Sequence, residues 1–347
     1  MILQQLSEAT GVSGDEQDVR SVVLNAIRAC VDDLRIDSIG NILAVKRGKD
    51  ENGVRVMVSA HMDEVGFMVV GHNGDGFLKF RTVGGIDARI LPGASISVGP
   101  KRLPGVIGVK PVHLLKSSDE AEQVAKVDDL MVDIGAKNKS EAEKLAPLGT
   151  YATFASHFRE LGPCVSGKAF DDRAGCAILI EVLRATEALG CELHAAFTVQ
   201  EEVGLRGARV AAFAIDPECA FALEGTIADD LPKDKPGTSP TTELGKGPAI
   251  TVMDRSFIAD RRLVRLVTGT AEELGIPYQI KQPGIGGTDA GAIHRSRGGV
   301  PSITLAVPCR YIHSPAALMN LADFGRTVRL LRESLSRLTR DTLRREP

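Results

Sequence analysis

In four places along the chain an apolar run ends and a side chain able to bind a metal follows at once. His61 follows "VMVSA", Glu201 and Glu202 follow "LHAAFTVQ", Glu224 follows "CAFAL", and His313 stands just beyond "SITLAV". A fifth place, Asp171-Asp172, opens the helical run "DDRAGCAILIEVLRATEAL", where unpaired backbone amides favour a carboxylate. Adjacent side chains in a regular strand point to opposite faces, so Glu201 beside Glu202 marks a strand end or a solvated turn. Taken singly these residues are ordinary: a strand-end histidine is usually a core or surface residue, and Asp171-Asp172 alone would be a helix cap. Their conjunction carries the signal, because open α/β sheets place ligands outside the carboxyl ends of their strands. The five places are therefore expected to converge. The remaining histidines (His72, His113, His157, His194 and His294) do not fit the pattern and are read as structural or exposed.

The charges favour two cations. Asp171 as a bridge, with Glu202 and Glu224, supplies three negative charges, and His61 and His313 are neutral ligands. Mixed imidazole and carboxylate ligation suits Zn or Co first and Mn next, rather than Mg alone. Two such metals can activate a water and polarise a carbonyl together. One glutamate of the 201–202 pair is then left without a metal, and a spare carboxylate beside an activated water is a general base. Asp63, two residues after His61, is placed by strand alternation to orient that imidazole.

Elements of two textures must position these residues. "DEQDVRSVVLNAIRACV" reads as an amphipathic helix capped by Ser13, and "LRIDSIGNILAVKRG" as a pair of strands turning at Gly40-Asn41. The run from Val54 to Ala60 reads as a buried strand. From about Phe67 to Pro163 the sequence breaks into short alternating segments punctuated by Gly and Pro, a small β-rich module of PDZ-like or barrel type. Within it "SSDEAEQVAKVDDLM" reads as a loop or a turn of helix, and "KSEAEKLAPLG" as a short capped helix. Beyond it, helices expected at 172–189, near 206–213, at 256–274 and from about 320 alternate with strands at 193–199, 219–224 and 300–307. That alternation implies an α/β domain with a mostly parallel central sheet. The expected division is 1–66 with 164–347 as the catalytic domain and 67–163 as an inserted module.

With 347 residues, 43% hydrophobic and a net charge of -3, the chain has material for a sizeable core and no basic footprint for nucleic acid. No run approaches the length of a membrane span, and no signal peptide is read at the N-terminus. Six scattered cysteines without a CxxC pair fit a reduced, cytoplasmic protein.

The stretches "SGDEQDVR", "DSIGNILA", "SAHMDEVGFMV", "GFLKFRTVGGID", "KAFDDRAGCA", "TVQEEVGLRGA", "GTDAGAI" and "RYIHSP" resemble the M42 family of metallo-aminopeptidases, and run from near Ser13 to Pro315. The resemblance implies a zinc-peptidase-like α/β domain that removes N-terminal residues from peptides. It implies that His61 and Asp171 bind one metal, with Asp171 bridging to the other, and that Glu202, His313 and Glu224 complete the pair. Glu201 would be the catalytic base and Asp63 the partner of the histidine. At position 224 the family commonly has Asp, so this chain departs from it by a longer side chain. The resemblance also implies that residues 67–163 build dimers and dodecameric cages. Two rival readings are a glycoside hydrolase, after an older endoglucanase label for the family, and a silent peptide-binding scaffold. The first needs two carboxyls free of metal; the second sits poorly with a filled base and filled ligand positions. By the same resemblance "GPAITVMDRSFI" and "QPGIGGTDAGAI" are expected at the substrate pocket, and Arg255 or Arg310 is read equally as a cation that would favour acidic residues or as a surface or ion-pairing arginine.

Overall fold

The buried run from Val54 to Ala60 becomes the centre of a large sheet. A computed structural model describes residues 1–50, 53–114, 123–185, 189–232, 241–284 and 286–344. The chain starts with helices α1 (Ile2–Glu8) and α2 (Gln17–Ile27), followed by strands β1 (Asp33–Ile36), β2 (Ile42–Lys46) and β3 (Arg55–His61). Next come β4 (Gly66–His72), β5 (Leu78–Val83), β6 (Ser95–Val98), β7 (Leu103–Ile107), β8 (Val132–Asp133), helix α3 (Lys139–Leu145) and β9 (Tyr151–Phe154). The return half holds β10 (Arg159–Leu161), β11 (Cys164–Gly167), α4 (Phe170–Arg184), β12 (Glu192–Thr198), α5 (Arg206–Ile215) and β13 (Cys219–Ile227). It closes with β14 (Ala249–Thr251), α6 (Arg261–Glu273), β15 (Gln279–Ile280), α7 (Ala290–Ile293), β16 (Ser302–Arg310), β17 (Ala317–Asn320) and α8 (Leu321–Arg337).

Eleven strands form the main sheet in the order β1-β2-β12-β3-β13-β16-β17-β11-β10, with β14 on β16 and β15 on β14. The sheet is mixed, which corrects the expectation of a mostly parallel one. Its centre, β12-β3-β13-β16, is parallel. The flanks β1-β2, β16-β17, β17-β11 and β11-β10 are antiparallel. Short connections return the chain antiparallel at β1-β2, β10-β11 and β16-β17, whereas parallel neighbours need a long crossover. β1 and β2 turn through Gly40 at φ 104°, where three amides donate to the Asp37 carboxylate. Alternation sorts the β3 side chains: Val56, Val58 and Ala60 face a core shared with α1, α2, α4, α6 and α8, and Met57 faces α5 and α7.

The six strands of the module close into a separate barrel, β4-β5-β8-β7-β6-β9. Phe67 fills its centre, edge-on to Phe80 and Phe154. Closure lets the barrel bury its own apolar strands, because each strand sends alternate side chains inward. Leu91, Ile96 and Val98 in "GGIDARILPGASISV" lie wholly inside it, so that stretch is not an exposed apolar surface. Sheet membership returns to the main sheet at Arg159, a few residues before Pro163.

Several local expectations shift. Glu16, not Ser13, precedes the first turn of α2. α6 begins at Arg261 under an Asp260 cap, because the Asp254 carboxylate holds Ser256 and Phe257 in a turn. α3 carries the cap expected of it, from Asn138. Of "SSDEAEQVAKVDDLM", residues 117–122 lie outside the described residues, and Val127–Asp129 forms one 3-10 turn. The helix expected to reach 189 ends at Arg184, with Ala185 out of helical conformation behind it, and 186–188 lie outside the described residues.

Candidate metal centre

Parallel register brings the strand ends level. Thr198 of β12 pairs with His61 at the end of β3, so Glu201 and Glu202 come just past the same edge. β13 pairs with β3 as far as Ala222 opposite Ser59, which leaves Glu224 two residues on, at the height of His61. β16 places Ala306 beside Glu224 and then hands the chain to the turn carrying His313, a residue at φ 57°. Asp171 enters from the start of α4, after Ala169 at φ 57° and through a cis bond to Asp172.

All six side chains meet. His61 Nε2 lies 3.4 Å from Asp171 Oδ1, 3.6 Å from Glu224 Oε2 and 3.9 Å from Glu201 Oε2. His313 Nε2 lies 3.1 Å from Glu202 Oε1 and 3.3 Å from Asp171 Oδ2. Two sets of three, His61-Asp171-Glu224 and Asp171-Glu202-His313, each have ligand atoms within 4.8 Å of one another, and they share Asp171. A third, His61-Glu201-Glu202, overlaps both. The longer Glu224 side chain thus reaches the cluster, and its second oxygen accepts the Asp289 amide at 3.2 Å.

The second ring nitrogens are tied down. His61 Nδ1 bonds the Asp63 carbonyl oxygen at 3.1 Å, and His313 Nδ1 bonds the Gly85 carbonyl oxygen at 2.8 Å. With those positions donating, each Nε2 turns a lone pair toward carboxylates. Asp63 acts through its carboxylate as well. It accepts the amides of Glu201 at 2.9 Å and Glu202 at 3.1 Å, and the Ser13 hydroxyl at 2.6 Å. Ser13 therefore braces the site rather than capping α2.

Among the described residues, buried Asp171 Oδ1 and Glu202 Oε1 have no hydrogen-bond partner, although each lies close to an imidazole nitrogen. Electrostatics point the same way. Burial pushes the Glu224 carboxyl up to about 8, against His61 and with Asp171 and Asp289 adding to it. Burial likewise pushes Glu201 well up, with Glu224, Asp289 and Glu202 reinforcing it against His61. For His313, burial opposes the charged ring, yet Asp171 and Glu202 raise it to about 11. Carboxyls that resist ionising beside imidazoles drawn to protonate mark a surplus of negative charge. Divalent cations relieve both that surplus and the unpartnered oxygens, so the donor set fits a metal pair.

The cluster opens on a cleft of about 400 Å³ that Thr226, Thr251, Lys281 and Thr288 also line. Sequence reasoning gave no site role to three contributors, Ser13, Lys281 and Asp289, and took Asp172 only as the neighbour of Asp171. Asp289 lies inside the highlighted "GTDAGAI" and takes the Thr198 hydroxyl at 2.6 Å. Buried Asp172 accepts the His61 amide at 3.1 Å. Lys281 precedes "QPGIGGTDAGAI" by one residue. Neither Arg255 nor Arg310 is among the residues that line the cleft. Arg310 holds Asp230 through Nε at 2.6 Å and Nη2 at 2.8 Å, and Arg255 is exposed.

Comparison with known proteins places the chain among the peptide hydrolases. A family model described as M42 glutamyl aminopeptidase matches residues 40–330, and the chain belongs to that family. It is 34% identical over 343 residues to the lysyl aminopeptidase of Pyrococcus furiosus, covering 97% of this chain and 96% of that one. To the glutamyl aminopeptidase of Lactococcus lactis subsp. cremoris it is 32% identical over 348 residues, covering 97% and 95%. Among solved structures, the TET1 peptidase of Pyrococcus horikoshii superimposes with a TM-score of 0.85 at 37% identity, covering 97% of this chain and 99% of that one. That peptidase can assemble into a tetrahedron or a large octahedral shell.

Proposed function

We propose that the chain is a dinuclear metallo-aminopeptidase that removes N-terminal residues from peptides. The observation that carries this reading is Asp171, shared between two histidine-carboxylate sets in which Asp171 Oδ1 and Glu202 Oε1 are buried without a hydrogen-bond partner among the described residues. His61, Asp171 and Glu224 would hold one divalent cation, and Asp171, Glu202 and His313 the other, with Zn or Co preferred and Mn next. Such a pair supplies an acidified water and a polarised peptide carbonyl. Glu201 is the general base: it lies beside His61 without belonging to either of the sets that share Asp171, takes the water proton, and passes it to the leaving amine. Asp63 is a positioning residue, since it fixes the His61 tautomer and pins both glutamate amides.

The test is hydrolysis of aminoacyl-coumarins and their N-acetylated counterparts. Cleavage of the free amines only, silenced by EDTA and restored by Zn or Co, is the expected result. Turnover that survives EDTA, or equal cleavage of the acetylated substrates, overturns the reading.

We further propose that the chain self-assembles into dimers or larger cages through residues 67–163. The barrel leaves Val70, Val106, Val109 and Leu148 between 46% and 66% exposed, which is apolar surface that a partner would cover. Sedimentation checks this: a species near the 36.9 kDa chain mass at micromolar concentration overturns it. Six cysteines, all free, suit a reducing compartment, and we place the protein in the cytoplasm. Among the described residues no helix is long and apolar enough to cross a membrane.

A further inference from the structure

One cation in the cleft lacks a partner. Lys281 follows β15 directly, and its amide donates to the Ile250 carbonyl oxygen at 3.0 Å, which fixes its backbone against β14. The residue is only 5% exposed, yet its side chain lines the cleft, and among the described residues its ammonium has no hydrogen bond or ion pair. A buried lysine in that condition is costly unless something arrives to pair with it. The charges that act on Lys281 are those of Glu224 and Asp171 in the metal cluster and of Asp254, which is already engaged. Asp254, whose charge acts on Lys281, accepts Ser256 and Phe257 on one oxygen and Thr288 on the other.

Two further donors line the same cleft. The hydroxyls of Thr226 and Thr251 are buried and, among the described residues, without partners. Thr226 stands two residues beyond Glu224 on β13, so both side chains leave the same face of the sheet. Thr251 lies on β14, two strands away across β16. An ammonium and two free hydroxyls therefore border the cleft whose other lining is the carboxylate cluster. Their shared complement is an anionic group small enough for the cleft, carried on the substrate residue that enters it.

We propose that Lys281 is the specificity-determining residue of this cleft and selects peptides whose N-terminal residue is glutamate or aspartate. The proposal rests on the aminopeptidase reading and settles what the relatives leave open, since they include both a lysyl and a glutamyl enzyme. A basic N-terminal side chain would meet Lys281 as a like charge. An apolar one would leave the ammonium and both hydroxyls unpaired, the arrangement by which a polar site rejects an analogue lacking its partner.

The experiment measures kcat/KM of the metal-loaded protein on Glu-, Asp-, Ala-, Leu- and Lys-aminomethylcoumarin, for the wild type and for Lys281→Met and Lys281→Glu. The wild type should favour Glu or Asp over the other three. Lys281→Met should lower the Glu-to-Ala ratio by about 10- to 150-fold, the range for losing a charged hydrogen bond. Lys281→Glu should turn the preference toward Lys. The ratio is read within each preparation, so a variant that folds in lower yield still reports. A wild type that cleaves Ala, Leu or Lys faster than Glu and Asp overturns the proposal while leaving the aminopeptidase reading intact. A Glu-to-Ala ratio unchanged in both variants does the same. Cleavage of none of the five substrates by metal-loaded wild type is the separate failure of the aminopeptidase reading, and removes the proposal with it.

Discussion

His61 and Glu64 stand three residues apart, and each is the hub of a buried charged cluster. Around Glu64 every demand is met. Its carboxylate accepts Lys168 Nζ at 2.6 and 2.8 Å, Thr153 Oγ1 at 2.9 Å, the Gly11 amide at 3.1 Å and Arg173 Nη2 at 3.2 Å. Arg173, fully buried, also donates to the carbonyl oxygens of Met62 at 2.7 Å and Leu6 at 2.6 Å. Around His61 the reverse holds: carboxylates face one another, and Asp171 Oδ1 and Glu202 Oε1 go unpartnered. A saturated cluster has no room for a ligand and serves the fold. An unsaturated one that opens on a cleft leaves polar groups unpaired until something binds. The difference separates a structural charge network from a chemical one within a single turn of chain.

The largest test of that contrast is Glu201→Gln. It keeps size and removes the proposed base, so kcat should fall about a thousandfold, within the range for general acid-base catalysis. Metal content by mass spectrometry and the thermal midpoint should stay near wild type, and activity within tenfold of wild type would show that Glu201 is not the base.

Glu64→Leu attacks the other cluster. It leaves Lys168 and Arg173 buried without their carboxylate, a loss of about 3–5 kcal/mol by urea unfolding. Bound metal per folded chain should be kept. A loss under about 1 kcal/mol would mean that water or backbone groups already compensate the two cations.

Ser13→Ala probes the seam between the clusters. It removes the 2.6 Å bond to Asp63 Oδ2 and leaves the Glu201 and Glu202 amides to hold that carboxylate. kcat/KM should fall about tenfold, as is common when a group behind a metal ligand is lost. Unchanged kinetics would reduce Asp63 to a backbone brace.

The site was more legible in the sequence than the fold around it. The end of an apolar strand is a local signal, and parallel pairing turns local ends into one edge; that is why His61, Glu202, Glu224 and His313 stood out. Asp171 was legible as a carboxylate at a helix start. Lys281 was not, because it follows β15, a strand of two residues with no periodicity to read. Ser13 misled because a serine before an acidic helical run is also a cap signal, and only the fold shows its hydroxyl turned to Asp63. The antiparallel flanks and the closure of the barrel depend on loop lengths and on which strands meet, neither of which residue pattern encodes.

The smallest effect tests whether the barrel is fastened to the structural cluster. Thr153 lies on β9 and sends its hydroxyl out of the barrel to Glu64 Oε2, the one side-chain bond from a barrel strand to that network among the described residues. Thr153→Val keeps the shape and removes the donor. Glu64 Oε2 retains Lys168 Nζ at 2.8 Å, so no charge is left bare and the cost should be about 1 kcal/mol, the net value of a single hydrogen bond. Because the bond joins two separately closed cores, the loss should also appear as faster amide exchange in β9, with the catalytic strands β3 and β13 unaffected. Exchange that quickens equally in β3 would mean the barrel and the sheet unfold as one unit, and that Thr153 is no more than a packing contact between them.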